Sequence, residues 1–314
     1  MRNYLIKRIL SIIPVLLLIA VASFSLLYLI PGDPVLAILG PDANTEDIAK
    51  MRSQLGLDRP LLVQFTYWFG NLLQGELGNS IISGRPISLS LMEKLPVTLA
   101  LAITATFISL IIALPAGILA AVKQNTWVDK FFMLISMAGI SVPNFWLGLL
   151  LLLFFAVILG WLPTGSYVAL SDSPWQWFRH IILPAFALGA VQAAVVARMM
   201  RSSMLEVLRN DFIRFARAKG LKESVVINKH ALKNSLIPVV TVVGLNFGHL
   251  LGNTVVIETI FSLPGIGSFL VFSVFSRDYP VIQSLLLIIG AMYSIINLAV
   301  DMLYSYLDPR IHYR

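Results

Sequence analysis

Between the apolar runs Ile181–Met200 and Leu236–Ile257 the chain reads Asp211-Phe212-Ile213-Arg214-Phe215-Ala216-Arg217-Ala218-Lys219-Gly220. Asn210 or Asp211 can cap a short helix here, and Gly220 supplies the left-handed position that ends it. A second helix is predicted from Glu223 to Asn234, with Pro238 entering the next apolar run. Phe212, Phe215, Ala216 and Lys219 share one face of the first helix, so an apolar ridge with small residues is offered to the cytosol. Two readings fit such a ridge. It can lie on lipid headgroups as an interfacial amphipathic helix, helped by its basic residues. Or it can enter a groove on another subunit, where burial stabilises by roughly 25 cal/mol per Å².

The flanking runs set the class of the molecule. Of 314 residues 58% are apolar and only 12% charged, with a mean hydropathy of +0.84. A soluble domain carries about 25% charged residues, so a soluble enzyme, a disordered scaffold and a coiled coil are poor readings. Crossing about 30 Å of hydrocarbon takes roughly 20 mostly apolar residues in a helix. Six stretches qualify: Ile9–Ile30, Val97–Val122, Phe131–Leu159, Ile181–Met200, Leu236–Ile257 and Gln283–Tyr304. The first follows Arg2, Lys7 and Arg8 like a signal peptide, but its apolar run is too long and Pro31-Gly32-Asp33-Pro34 replaces a cleavage site. It reads as a retained helix.

Charge sets the orientation. With the amino terminus inside, residues 1–8, 123–130, 198–235 and 305–314 are cytoplasmic and hold 16 of the 23 Lys and Arg residues, while the outer segments 31–96, 160–180 and 258–282 hold 7. That is the bias of the positive-inside rule. The same distribution argues against nucleic acid as a partner. Nine basic residues sit in one inner loop, with no basic arm and no aromatic-interleaved patch.

The outer segment between the first two runs reads as helical. Asn44 or Thr45 caps a helix with Glu46 and Asp47 in its first turn and Gly56 after its end, with Ile48, Met51 and Leu55 on one face. A second amphipathic helix follows Pro60, with Leu61, Phe65, Trp68 and Leu72 on one side, and Gly75, Gly78 and Gly84 mark turns after it. A cap on the membrane domain and a docking surface for an external partner both remain open.

Polar residues within apolar runs are costly and tend to face a pathway or another helix. Asn246, His249 and Asn253 form a stripe on the fifth run, as lining of a solute path or as interhelical packing. Asn297 and Asp301 lie one turn apart on the sixth and read as a structural pairing; Glu258 closes the fifth on its outer side and is a candidate for an outer gate. Gly244, Gly248 and Gly252 make a small-residue face for close helix approach, and Pro115, Pro143 and Pro184 are expected to interrupt their runs.

Ala216-Arg217-Ala218-Lys219-Gly220, His230-Ala231-Leu232-Lys233-Asn234 and Ile237-Pro238 resemble the EAA loop of membrane subunits in binding-protein-dependent ABC importers. Arg214 and Phe215 stand where that loop has its Glu and first Ala, and His230 and Lys233 replace a later apolar residue and proline. These departures are typical of the peptide/nickel-type permeases. The same branch is resembled by Gly32-Asp33-Pro34, Leu55-Gly56-Leu57-Asp58-Arg59-Pro60, Ser141-Val142-Pro143-Asn144-Phe145-Trp146, Phe261 with Pro264-Gly265-Ile266-Gly267, Arg277 to Gln283, and Asp308-Pro309-Arg310.

The resemblance implies an all-α polytopic membrane protein with six transmembrane helices and a type I importer core, in the bacterial inner membrane with both termini cytoplasmic. It implies three parts: residues 1–95 as a first helix plus outer segment, 96–307 as the permease domain with its coupling loop at 201–235, and 308–314 as a tail. The partners it implies are a homologous second permease in a heterodimer, two cytosolic ATPases that carry ATP and Mg, and an external solute-binding protein. The cargo would be a di- or oligopeptide, with nickel, a metal chelate or glutathione as alternatives. Phe212, Phe215, Ala216, Arg217, Ala218 and Gly220 would form the coupling helix seated on an ATPase.

The chain itself has no enzyme signature. No Gly-Lys pair and hence no P-loop occurs, no His-Glu-x-x-His, no Gly-x-Ser-x-Gly and no cysteine, and the four histidines lie in different segments. No bound cofactor or metal is expected. A stand-alone secondary transporter is the rival of another class, but it should show paired intramembrane ionisable groups and inverted repeats, and only Asp301 lies well inside a run.

Overall fold

The computed structural model describes residues 2–29, 34–40, 43–54 and 56–307. Among these residues no strand is present, only an isolated bridge between Asn79 and Pro86. The helices are α1 (Arg2–Leu29), α2 (Pro34–Leu39), α3 (Thr45–Gln54), α4 (Leu61–Leu73), α5 (Ile87–Val122), α6 (Trp127–Ser141), α7 (Asn144–Leu151), α8 (Pro174–Leu208), α9 (Asp211–Ala218), α10 (Glu223–Val225), α11 (Leu232–Ile260), α12 (Ile266–Phe275) and α13 (Tyr279–Leu307). Two π-helical stretches, Leu152–Ile158 and Val226–Ala231, continue α7 and α10. Leu55, Gly32-Asp33 and the tail 308–314, used in the sequence reading, lie outside the described residues.

Among the described residues four helices are long and apolar enough to cross a membrane: Ile87–Val122, Pro174–Leu208, Glu223–Ile260 and Tyr279–Leu303. Phe131–Leu159, expected as one span, is instead two pieces, α6 and the α7 pair, bent by 98°. The cause is local. Pro143 has no N–H to give and forces Val142 out of the helical region, to φ −88° and ψ 122°. Pro115 and Pro184, expected to interrupt their runs as well, lie within continuous helices. The separate helix expected at Glu223–Asn234 runs on through the π-helical turn into α11, giving one 38-residue element. In α1 the apolar stretch with described side chains, Leu10–Ser25, is shorter than a full span. The count among the described residues is therefore four spans, or five with the bent pair as one crossing.

The chain divides into two compact units, residues 1–97 with 264–294, and residues 98–263 with 295–314. The second is held by α5 against α8. A Cβ on Gly189 would stand 2.5 Å from the carbonyl oxygen of Ala105, and one on Gly117 would stand 2.6 Å from that of Ala197. The helices thus touch backbone to backbone at two levels. The order of those contacts makes α5 and α8 parallel, so the chain between them must return across the same distance. That supports counting the bent pair as one crossing. Ser109 of α5 and Gln192 of α8 are both buried, and neither side chain meets a hydrogen-bond partner.

In the first unit Ile87, Leu91, Ile266, Val281 and Leu285 form the core. Asp278, buried, accepts from the Ser80 hydroxyl at 2.5 Å and from the Ile81 N–H at 3.2 Å, and the Ser284 hydroxyl donates to the Leu77 carbonyl at 3.2 Å. Both predicted helices of the segment after α1 are present. The Asn44 side chain accepts from the Glu46 N–H at 3.4 Å, and Gly56 takes φ +66° after α3. Phe65 and Trp68 of α4 meet Phe24 of α1 at ring distances of 5.3 and 5.8 Å, while Leu61, expected on that side, is exposed. Helix α12 falls in a stretch read only as an outer loop.

Candidate functional site

Helix α9 is a short amphipathic helix between two long apolar ones. Its start relies on backbone: the Asn210 carbonyl accepts from the Ile213 N–H at 3.1 Å, and no side chain of Asn210 caps it, against expectation. Its end is as expected. The Gly220 N–H donates to the Arg217 carbonyl at 2.9 Å and Gly220 takes φ +75°, a conformation a Cβ would strain.

The two faces of α9 differ sharply. Ile213 is fully buried and Ala216 is 8% exposed, whereas Phe212 is 43% and Phe215 69% exposed. Ala216, expected on the outward ridge, therefore faces inward. It belongs with Ile213 to a hydrophobic cluster that includes Ala113 of α5, Met200 and Met204 of α8, Val226 and Ala231 of the π-helical turn, and Val239 of α11. The buried arc of α9 is centred between positions 213 and 216, which leaves the phenylalanines and Arg214, Ala218, Lys219 and Gly220 outside. Exposing two aromatic rings on an element so firmly seated leaves apolar area uncovered, a mark of a contact surface.

Polar ties lock the same region. Arg217 makes two bonds to Glu223, at 2.6 and 3.1 Å, joining α9 to the helix that follows. That hydrogen bonding to Glu223 holds the Arg217 guanidinium above its ordinary pKa, so it is charged at any working pH. The Ser203 hydroxyl donates to the Ser235 carbonyl at 2.9 Å, joining α8 to α11. Arg201 of α8 grips Asp129 of α6 with two bonds of 2.6 and 2.8 Å, and the Asn125 N–H adds a third to the same carboxylate at 3.0 Å. This pair escapes sequence inspection because its members are 72 residues apart in segments that read only as basic loops. A push on α9 thus meets a closed set of contacts reaching α5, α6, α8 and α11.

The stripe on α11 is split. His249 and Asn253 are exposed, together with Leu245, Gly252 and Val256 along the same face. Asn246 is half-buried and its amide nitrogen meets no hydrogen-bond partner. The three glycines also part company: Gly244 is closed off by Val300 of α13, Gly248 is buried, and Gly252 faces open space. Glu258 is fully buried and accepts from the Thr98 hydroxyl at 2.7 Å, tying α11 to α5. Among the described residues no group of three or more His, Cys, Asp or Glu is placed to hold a metal ion.

Comparison with known proteins agrees with this architecture. The family model described as binding-protein-dependent transport system inner membrane component matches residues 113–313, and its N-terminal companion matches residues 1–102. The chain is similar to the dipeptide transport system permease protein DppB of Alkalihalophilus pseudofirmus, 46% identical over 100% of both chains. It is also similar to the glutathione transport system permease protein GsiC of Salmonella typhimurium, 47% identical over 100% of both. Among solved structures, the MetNI methionine ABC transporter in an inward-facing conformation shares the fold, with a TM-score of 0.59 at 20% identity over 70% of this chain and 97% of that one. The chain therefore belongs to the family of binding-protein-dependent transport system inner membrane components, the membrane-spanning permease subunits of ABC importers.

Proposed function

We propose that this chain is one half of a permease heterodimer that imports di- or oligopeptides handed over by an external binding protein. Two cytosolic ATPases carrying ATP and Mg drive it, and α9 receives their motion. It crosses the inner membrane six times, α1 included, with both termini in the cytoplasm. Residues 1–95 supply the first helix and the external segment, and 96–307 the permease domain. The observation that carries this reading is the contrast on α9. Ile213 and Ala216 fix it to the spans, while Phe212 and Phe215 stand out as two knobs. ATPase closure would push the knobs, and the cluster beneath them would pass the displacement to α5, α8 and α11.

For the cargo, the support is that full-length relatives at 46–47% identity are named for dipeptide and for glutathione. Both are short zwitterionic amides. Glutathione itself is the second reading, favoured by the name of the Salmonella relative.

The exposed face of α11 bearing His249 and Asn253, with Asn246 beside it, is assigned to the solute path. In vesicles holding this chain, its partner permease, the ATPases and the binding protein, peptide accumulation should require ATP and should fail with this chain alone. Alanine at Asn246, His249 and Asn253 together should cut that uptake at least about tenfold, the loss of one or two hydrogen bonds to a charged solute. Complex assembly should be unchanged. Unaltered uptake would return these residues to helix packing, and accumulation by this chain alone would end the importer reading.

A further inference from the structure

The first unit contains a cavity of about 380 Å³ that the coupling and path residues do not use. Its wall combines Tyr67, Trp68 and Asn71 of α4 with Arg59 just before that helix and with Glu76 and Asn79 after it. The size falls within the range of about 300–1,000 Å³ found for small-molecule sites. Its chemistry is mixed in a particular way. One guanidinium, one carboxylate, four side-chain amides and four aromatic rings line a single space. Among the described residues neither Arg59 nor Glu76 forms an ion pair, although Arg85 with Glu93 and Lys50 with Glu46 nearby do. Arg59 instead lies over the Tyr67 ring at 5.5 Å, and its carbonyl accepts from the Gln64 amide at 2.7 Å, so the backbone that carries it is fixed.

Exposed to water, the cation and the anion at this cavity need no partner from the protein, and both stay available to a ligand. Held apart, they suit a ligand bearing both signs. The amides of Asn71 and Asn79 offer donors and acceptors to a peptide unit, and Trp68 and Tyr67 offer apolar area to a side chain. We propose that this cavity is a binding site for a free zwitterionic dipeptide, with Arg59 taking the terminal carboxylate and Glu76 the terminal ammonium. The cavity shares no residue with the α11 face, and its role would be a station at which released peptide is held before entry. This inference rests on the peptide-importer reading.

The test uses the full chain in nanodiscs, titrated with alanyl-phenylalanine and with its amino-acetylated and carboxy-amidated forms, read by isothermal calorimetry. The unblocked dipeptide should bind, and Arg59→Gln and Glu76→Gln should each weaken it at least about tenfold, the worth of one charge-assisted hydrogen bond. Glu76→Gln should leave affinity for the acetylated peptide unchanged, and Arg59→Gln should leave affinity for the amidated peptide unchanged. Both residues are exposed, so neither change disturbs the core. No binding, or binding indifferent to both substitutions, overturns the site. The peptide-importer reading is judged separately, by ATP-dependent uptake in vesicles of the whole assembly. Uptake with no binding here would sink the cavity alone.

Discussion

Phe212→Asp combined with Phe215→Asp is expected to abolish ATP-driven uptake while leaving the membrane domain folded. Both rings point away from the cluster that anchors α9, so the isolated chain loses little when they are replaced. Surface substitutions of this kind usually stay within about 0.5 kcal/mol. In a groove on a partner the same change removes two aromatic anchors and introduces two carboxylates without partners. Aromatic anchors of an interface cost about 2 kcal/mol or more each when lost, which corresponds to about thirtyfold in affinity for one. The ATPases should therefore fail to co-purify with the double variant, and thermal unfolding of the chain should be unchanged. The competing reading, a helix lying on lipid headgroups, makes the opposite forecast. There the ATPases would co-purify as before and only the membrane seating of α9 would change.

Asp129→Ala is expected to lower the stability of the chain by about 3–5 kcal/mol, because Arg201 is left as an uncompensated, largely buried charge. Asp129 is itself buried and accepts three hydrogen bonds, so no other group stands ready to replace it. The companion variant separates the charge from the contact. Asp129→Leu with Arg201→Met removes both ions and should recover most of the loss, since apolar replacement of a buried pair is often neutral or better. Thermal unfolding in detergent distinguishes the cases. A single variant within about 1 kcal/mol of the parent would mean that water reaches Arg201 and that the tie between α6 and α8 is weak.

The placement of the spans was legible because apolar length is a one-dimensional property. Five of the six runs fall in continuous helices around the expected positions, α1 among them, and α5 ends at Val122 as read. The break in Phe131–Leu159 was not legible from proline alone. Pro115 and Pro184 carry the same missing donor, yet their helices continue, and tertiary contact along α8 can hold a proline-bearing helix together. Only at Val142-Pro143 does the backbone turn extended.

For α9, the amphipathic spacing and the terminal glycine identified the element and its two exposed rings. The side on which Ala216 falls was decided by where α8 and the π-helical turn lie, which no local pattern records. The grip of Arg201 on Asp129 and the backbone contacts at Gly117 and Gly189 were hidden for the same reason: each needs the coordinates of a second helix.

The absence of cysteine from the chain makes one measurement direct. Phe215→Cys introduces a single thiol at the exposed tip of α9, whose reaction rate with a maleimide can be followed with and without the ATPase subunits. If α9 is seated in the ATPases, assembly of the complex should slow labelling by at least about tenfold, the protection of a site occluded most of the time. ATP-driven closure should change that rate again. Equal labelling of the free chain and of the assembled, transport-competent complex would show that this knob touches no partner, and force would then have to reach the spans by another route.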